Sequence, residues 1–296
     1  MKFLKKYKKD HLIWGYIFIA PTAIGLILLN IKPAIYTVIL SFSKSTGFGN
    51  STFAGLVNFK RLLADAEVWQ SFINTFKYSI VSIPLIVVFS LIAAVLVNQK
   101  VKGVSIYRTL FFLPVVAAPT AVAMIWRWLL NSQFGLVNQA LAVFGIAPVS
   151  WLSNPDIAIF SVIIVGVWSA IGYNMIILLS GLQEIPADYY ESADIDGAGP
   201  FRKFFSITLP LVTPTLFFVV VTTVIQAFQV FDSIFMMIQP RTEAMYNTQS
   251  LAYLFYKHSY ILNDKGYGSA IVVLLLIVIL IVTAVQMKLQ KYWVNY

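Results

Sequence analysis

Long stretches without a charged residue set the strongest constraint on how this chain folds. Residues 78–98, 157–182 and 269–287 are uncharged runs of 21, 26 and 19 residues, and all three are rich in aliphatic side chains. A helix rises 1.5 Å per residue, so about 20 apolar residues cross the roughly 30 Å hydrocarbon core of a bilayer. A helix also satisfies its own backbone hydrogen bonds, which a bilayer requires. The three runs therefore predict membrane-spanning helices.

Three further segments complete a set of six predicted spans. Residues 12–31 and 109–126 are nearly as apolar, and residues 210–231 are an uncharged run of 22. Only 11% of the 296 residues are charged, against about 25% in a soluble domain. We predict an all-α integral membrane protein that forms a single domain over residues 1–296. The spans are predicted at about 12–34, 73–98, 108–130, 157–182, 208–233 and 269–288.

The basic residues flank the apolar runs and predict the topology. The net charge is +9, but the chain has no soluble basic domain that would present this charge to nucleic acid. With a cytoplasmic N-terminus, the inside segments hold 12 Lys and Arg in 54 residues and the outside loops hold 6 in 91. The positive-inside rule then places both termini in the cytoplasm. The inside residues are Lys2, Lys5, Lys6, Lys8, Lys9, Lys100, Lys102, Arg108, Arg202, Lys203, Lys288 and Lys291. The basic N-terminus resembles a signal peptide, but no small-residue cleavage site follows it, so we expect an uncleaved first helix.

Several kinds of chemistry are disfavoured by residues that the chain lacks. It has no cysteine, which excludes thiolate nucleophiles and Cys-based metal sites. Its two histidines, His11 and His258, fall on opposite predicted sides of the membrane and cannot pair on a metal within one chain. No G-x-x-x-x-G-K-[ST] phosphate loop occurs, so any ATP must be hydrolysed by another chain. A G-x-S-x-G elbow and a membrane carboxylate pair are also absent, which argues against a membrane enzyme.

The loop between the fourth and fifth predicted spans, residues 183–206, is unusual for an inside segment. It holds five of the 12 acidic residues, although positive charge is typical of that side. Pro186 suits the first position of a helix and Gly197 suits the left-handed residue that ends one, so a short helix is predicted. A helix of roughly ten residues is marginal alone, which indicates packing on its own bundle or on another protein. The alternative is an amphipathic helix on the lipid surface, but such a helix favours Lys and Arg on its polar face.

The same loop carries a family resemblance. Glu191-Ser192-Ala193, Asp196-Gly197-Ala198 and Leu209-Pro210 resemble the EAA loop of permeases of binding-protein-dependent ABC importers, with Ser192 where alanine is usual. Motifs across nearly the whole chain are similar to the six-span sugar permeases of the maltose, glycerol-3-phosphate and raffinose branch. They lie at residues 14–21, 107–114, 126–129, 181–186, 228–232 and 266–270. The Gly-Gly-Pro usual after the fifth span is absent near Gln239-Pro240-Arg241, so the family's external contacts are not carried over to that loop.

This resemblance implies a permease subunit of an ATP-driven saccharide importer in the plasma membrane of a prokaryote. The implied partners are a second, similar permease, two ATPase subunits that bind ATP and Mg, and an extracytoplasmic sugar-binding protein. No cofactor is expected in this chain. The short acidic helix would couple the permease to the ATPase, with Glu191 as the charged contact and Gly197 setting the angle of the turn. The implied coupling residues are Tyr189, Glu191, Ala193, Asp196, Gly197 and Ala198.

Polar and aromatic residues of the fourth and fifth spans form the candidate substrate path. Sugar sites combine aromatic faces, which cover the CH groups of a ring, with amides and carboxylates, which bond its hydroxyls. In the resembling family these two helices line the translocation cavity. The candidates are Trp168, Ser169, Tyr173, Asn174, Gln226, Gln229 and Asp232. The alternative for any one of them is an interhelical hydrogen bond or a place in the interfacial aromatic belt.

Two charged residues near the spans bear on substrate and mechanism. Arg127 lies between two tryptophans and is expected to be an interfacial anchor near the outer surface. A phosphorylated substrate would require cations in the cavity, and Arg127 is the single candidate, so a neutral or weakly charged saccharide is preferred. The main alternative function is an ion-coupled secondary transporter. Such a transporter requires intramembrane carboxylates, and Asp232 is the one clear candidate.

Overall fold

A computed structural model of the chain describes residues 2–45, 51–99 and 103–294, and for residues 2–12 it describes the backbone alone. Lys100 and Lys102, on which the topology prediction draws, lie outside the described residues. The contacts divide the chain into two compact units. One comprises residues 1–64 and 256–273, and the other comprises residues 65–255 and 274–296.

The N-terminal part of the first unit is a long helix followed by a small hairpin. Its elements are α1 (Lys2–Leu26), a π-helical turn (Ile27–Ile31), α2 (Lys32–Ser41), β1 (Ser43–Ser45), β2 (Ser51–Phe53) and α3 (Val57–Ala64). The strands pair antiparallel, with Ser43 opposite Phe53. The Asn58 amide donates to the carbonyl oxygens of Ser41 and Ser43, at 2.9 Å each, and so ties α3 to the start of the hairpin. The two strands have three residues each, and the other described regular elements are helical, so the predicted all-α class of membrane protein is confirmed.

The second unit begins with the helices that surround its core. They are α4 (Ala66–Val97), α5 (Val104–Val116), α6 (Pro119–Leu129), α7 (Leu136–Val143) and α8 (Ala158–Gln183). The Asp65 side chain accepts the Glu67 amide at 2.9 Å and caps α4. The short helix α9 (Ala187–Ile195) and then α10 (Pro200–Lys203) follow, and a π-helical turn (Phe204–Thr208) joins α10 to α11 (Leu209–Phe228).

The remaining helices follow the fifth predicted span. They are α12 (Asp232–Met237), α13 (Glu243–Tyr246), α14 (Leu251–Tyr256), a π-helical turn (Lys257–Ile261) and α15 (Lys265–Leu289). The Thr242 hydroxyl accepts the Met245 amide at 3.1 Å and caps α13. A short 3₁₀ turn (Gln290–Tyr292) ends the described part of the chain.

Five helical segments of the described residues are long and apolar enough to cross a membrane. They are Ile13–Ser41, Ala66–Val97, Ala158–Gln183, Pro200–Phe228 and Lys265–Tyr292. A sixth span is present if α5 and α6, which are bent by 100° at a short break, count as one. The chain is therefore an α-helical membrane protein, as the uncharged runs predict.

Two of the predicted spans differ from the observed helices. The third is not a continuous helix over 108–130, because Ala117 and Ala118 are extended and Pro119 starts a new helix. The fifth was expected to run to 233, but α11 ends at Phe228. Asp232 instead stands in the first turn of α12, where a carboxylate complements the helix dipole. Asp232 thus begins a separate short helix instead of extending α11.

The core of the second unit is centred on α8, which packs against α4, α5 and α11. Small residues allow the closest approaches. A Cβ at Gly172 would overlap the carbonyl of Phe111 on α5, and one at Gly181 would overlap the side chain of Thr215 on α11. Because a backbone carbonyl cannot rotate away, α5 and α8 can meet at this distance only with glycine at position 172. This packing fixes the walls of the cavity described next.

Candidate functional site

A cavity of 530 Å³ lies in the second unit, where α4, α8 and α11 meet the break between α5 and α6. Its size falls within the range of about 300–1,000 Å³ that is usual for small-molecule sites. The break contributes an apolar wall from Pro114 to Val122, and the end of α11 together with the start of α12 contributes most of the polar groups. The polar lining residues are Tyr78, Ser169, Thr223, Gln226, Gln229, Asp232 and Ser233.

Four of the predicted substrate-path residues meet in this cavity. Ser169 comes from α8, and Gln226, Gln229 and Asp232 come from the end of α11 and the start of α12. Tyr173 lines an adjoining pocket of 300 Å³ that also contains Ser169 and Gln226. Ser169 and Tyr173 are four residues apart, so they share one face of α8. The two pockets therefore follow one side of that helix.

Two predicted residues lie elsewhere on α8. Trp168 packs its ring against Trp126, with centroids 5.5 Å apart at 70°. Asn174 is buried, and its amide donates to the carbonyl of Ala170 at 3.1 Å. Neither residue lines the cavity. Their positions fit the alternative interpretation, in which such side chains pack between helices or bond within them.

The sequence prediction missed several lining residues, of which Tyr78 is the largest. Tyr78 opens an uncharged run, and its hydroxyl lies over Gly166, where any Cβ would overlap it. Thr223 also lines the cavity, and its buried hydroxyl has no hydrogen-bond partner among the described residues. Thr223 is three residues before Gln226 on α11, so the two share one face of the helix. Helical spacing from Gln226, which was predicted, could therefore have identified Thr223.

The lining chemistry suits a neutral, hydroxyl-rich solute. Its described lining residues supply amides, hydroxyls and one carboxylate, and none of them is Lys or Arg. Amides both donate and accept, and Asp232 only accepts when ionised, which is the mixture that sugar hydroxyls use. Within the described residues there is no group of three or more His, Asp or Glu that could hold a metal ion.

The second predicted site is the α9 turn, which we define as residues 187–203. Pro186 is the N-cap of α9 rather than its first residue, and Gly197 follows the helix with φ of +71°. The Gly197 amide donates to the Asp194 carbonyl at 3.1 Å, and the Ala198 amide donates to the Ala193 carbonyl at 2.9 Å. These two bonds form a Schellman cap, which requires the left-handed residue that glycine supplies.

The predicted coupling residues divide by exposure. Tyr189, Glu191 and Asp196 are exposed, whereas Ala193 is buried and Ala198 is half-buried. The turn is fixed to the start of the fifth span by the Tyr190 and Thr208 hydroxyls, 3.0 Å apart. An ion pair between Lys203 and Asp194 adds a further link. The outcome is a rigid helix that presents acidic and aromatic side chains on its free face.

Residues 67–292 match the family described as binding-protein-dependent transport system inner membrane component. The chain belongs to this family, whose members are membrane subunits of transporters rather than enzymes. It is 35% identical to the probable ABC transporter permease protein YesP of Bacillus subtilis, over all of this chain and 96% of that one. It is also 35% identical to the trehalose/maltose transport system permease protein MalF of Thermococcus litoralis, over 97% and 96% of the two chains. The resemblance identified from the EAA loop is thereby confirmed.

The fold matches solved structures equally widely. A chain of a bacterial alginate ABC transporter, in complex with an alginate pentasaccharide-bound periplasmic protein, superposes with a TM-score of 0.86. The match covers 99% of this chain and 98% of that chain at 22% identity, so it shows a shared fold. Family membership does not favour the alternative of an ion-coupled secondary transporter.

Proposed function

We propose that this chain is the permease subunit of an ATP-driven importer for a neutral or largely neutral saccharide. The sugar would be delivered by an extracytoplasmic binding protein and would cross the membrane through the 530 Å³ cavity. The observation that carries the proposal is this cavity, whose lining combines amides, hydroxyls and one carboxylate with apolar walls and contains no cation. It lies in a chain that belongs to a family of transporter membrane subunits.

The names of related proteins support the saccharide class. Relatives at 31–35% identity are named for the transport of trehalose and maltose, of arabinooligosaccharides and of sn-glycerol-3-phosphate. Two of these three are sugars without a charged group. Because the lining of the 530 Å³ cavity holds no cation, a neutral sugar fits it better than a phosphate ester does.

The α9 turn is proposed to couple transport to ATP hydrolysis in a partner subunit. Its exposed carboxylates, Glu191 among them, would enter a basic-edged socket on that ATPase, while Gly197 sets the direction of the chain after the helix. Closure of the two ATPase subunits would then move this helix, and with it α11, as a rigid body. The permease would alternate between inward-open and outward-open states, each favoured by its own ligands.

The proposed assembly follows from the same reasoning. This chain would form one continuous permease domain and pair with a second, similar permease. It would sit in the plasma membrane of a prokaryote with both termini in the cytoplasm. ATP and Mg would bind to the two ATPase subunits, and this chain would hold no cofactor.

Purification in mild detergent tests the proposal. We expect mass spectrometry to find a nucleotide-binding subunit and a second permease with the wild-type chain, together with ATPase activity. Glu191→Lys is expected to insert normally and lose the ATPase subunit. Glu184→Lys is the matched control, because Glu184 is also exposed in the same loop but precedes α9. A chain that purifies alone and moves sugar into vesicles without ATP would refute the proposal in favour of a secondary transporter.

A further inference from the structure

A second cavity, of 160 Å³, lies beyond the first along α6 and α12, and we name it the Arg127 cavity. Leu130 and Met237, both buried, supply apolar surface. Its polar lining residues are Arg127, Asn131, Ser132, Ser153, Gln239 and Thr242. None of the described residues that line it is acidic. Arg127, which the sequence indicates as an interfacial anchor, thus faces a cavity as well.

The Arg127 guanidinium is available to a ligand. Among the described residues, Arg127 makes no ion pair and its side chain makes no hydrogen bond, although the cation lies at the end of a span. The side chain is exposed and lies in the last turn of α6, so the guanidinium is not enclosed by other side chains. A guanidinium offers five donors in a planar fork that matches the two oxygens of a carboxylate or phosphate.

The rim of the Arg127 cavity is held by residues that are already bonded. The Asn131 side-chain oxygen accepts the amides of Gln133 and Phe134, at 2.9 and 3.2 Å. The Thr242 hydroxyl donates to the Gln239 carbonyl at 2.8 Å and accepts the Met245 amide. These local bonds fix the rim. The hydroxyls of Ser132 and Ser153 and the side-chain amide of Gln239 can then contact a ligand together with Arg127. The cavity is therefore rich in donors and has a net positive charge.

The two cavities are close enough to serve one ligand. Ser233 lines the larger cavity and Met237 lines the smaller one, one helical turn apart on α12. Val122 and Arg127 are five residues apart on α6, which packs against α12. These separations correspond to about 6 Å along α12 and about 7.5 Å along α6. At 160 Å³ the Arg127 cavity is too small for a whole ligand by the usual range, but it fits a single substituent.

We propose that the Arg127 cavity binds the anionic substituent of a transported saccharide, a carboxylate or a phosphate ester, while the neutral rings occupy the 530 Å³ cavity. This inference rests on the proposed function and adds a substrate class to it, namely oligosaccharides that carry one acidic group. The two cavities would bind different parts of the ligand. Among the described residues, no cation lines the larger cavity and no acid lines the smaller one.

Binding of a matched pair of disaccharides tests the inference. The complex that co-purifies with the chain, in nanodiscs of neutral lipid, is titrated with cellobiouronic acid and with cellobiose, which differ by one carboxylate, and binding is measured by saturation-transfer NMR. Loss of a bidentate charged contact weakens binding by about ten- to a hundredfold. We expect that loss for the uronic acid in Arg127→Gln, a smaller one in Arg127→Lys, and unchanged cellobiose binding in all variants. Arg241→Gln is the control, since it removes an exposed cation from the loop that carries Gln239 and Thr242, and Arg241 itself does not line the cavity.

The other outcomes separate this inference from the proposed function. If the wild-type chain binds both disaccharides equally and Arg127→Gln changes neither, the anionic subsite is refuted and the saccharide importer stands. If it binds neither, both are refuted. A repeat in nanodiscs with phosphatidylglycerol examines a lipid phosphate as the occupant. If phosphatidylglycerol abolishes uronic acid binding to the wild-type chain and has no further effect on Arg127→Gln, the lipid phosphate is the occupant of the Arg127 cavity and the inference is overturned.

Discussion

Two polar regions of the second unit are built in opposite ways. The α9 turn is held by contacts between residues fewer than 20 positions apart, and its carboxylates are exposed. The segment of residues 229–255, which contains α12 and α13 and leads into α14, is held to α4 by hydrogen bonds across more than 170 positions. The Asn74 amide donates to the carbonyls of Tyr246 and Gln249, at 2.9 and 3.2 Å, and the Leu251 amide donates to the Thr75 hydroxyl at 3.0 Å.

This difference teaches what each region is for. A turn that stabilises itself leaves its outer face free for another molecule, so changes there affect function more than folding. A segment held by distant buried bonds is part of the wall of the cavity, so changes there affect folding first. The following substitutions test this division, from the largest expected effect to the smallest.

Gly197→Asp is expected to abolish sugar uptake while the chain still inserts. The residue has φ of +71°, where a Cβ is strained, and the added carboxylate changes the charge of the α9 turn. Uptake of a labelled saccharide by cells is compared with the amount of chain in the membrane fraction. Gly199→Asp is the matched control, because Gly199 has φ of −69° and open space around it. Normal uptake by Gly197→Asp would remove the α9 turn from the coupling mechanism.

Asn74→Ala is expected to lower the free energy of unfolding by about 2 kcal/mol, since one buried and one partly buried hydrogen bond are lost and the Gln249 carbonyl loses a donor in a buried position. Reversible unfolding in mixed micelles with increasing SDS measures this change. Asn98→Ala, at the exposed C-terminal end of the same helix, serves as the control and is expected to change little. Equal stabilities for the two variants would mean that the segment is not held by α4.

Ser250→Ala is expected to lower the free energy of unfolding by about 1 kcal/mol. The Ser250 hydroxyl donates to the Val230 carbonyl at 2.5 Å and accepts the Tyr253 amide at 3.1 Å, so it joins the start and the end of the segment. The same micelle titration applies. Ser180→Ala is the control, because it removes only a local hydrogen bond to the Ile177 carbonyl on an exposed face. An equal decrease in the free energy of unfolding for Ser180→Ala would contradict the distinction between local and long-range hydrogen bonds.

Asp194→Ala is expected to change the free energy of unfolding by no more than about 0.5 kcal/mol, although it removes an ion pair. The Asp194 side chain is 67% exposed, so water screens its interaction with Lys203. A double-mutant cycle with Lys203→Ala isolates the coupling energy between the two. A coupling well above that range would show that the ion pair, rather than the glycine cap, holds the turn.

The sequence was sufficient for the features that depend on local rules. The uncharged runs predicted the spanning helices, because crossing the bilayer requires length and apolarity that any window of sequence displays. Pro186 and Gly197 predicted α9 to within one residue, because caps depend on a few neighbouring residues. The orientation of the termini and the coupling role of α9 stay predictions.

The sequence was not sufficient where the outcome depends on which face of a helix meets a distant partner. The prolines near 117–118 indicated a kink but not a bend of 100°. Trp168 and Ser169 are adjacent in sequence, and both were predicted as sugar-site residues. They point about 100° apart around α8, and of the two Ser169 lines the cavity. Tyr78 escaped prediction because its position depends on Gly166, on another helix. The hydrogen bonds of Asn74 likewise join residues that no local pattern connects.

The break between α5 and α6 has a consequence for hydration. The last turn of α5 has carbonyls without a helical donor, and Pro114, Val115 and Ala117 line the 530 Å³ cavity at that point. Water that enters the cavity would be able to donate hydrogen bonds to these carbonyls. A solute that enters would displace such water. A solute covered with hydroxyl groups can replace the hydrogen bonds to these carbonyls, whereas an apolar solute of equal size leaves the carbonyls without a donor. If the solute crosses through this cavity, as proposed, the bend between α5 and α6 would favour solutes that can bond to these carbonyls.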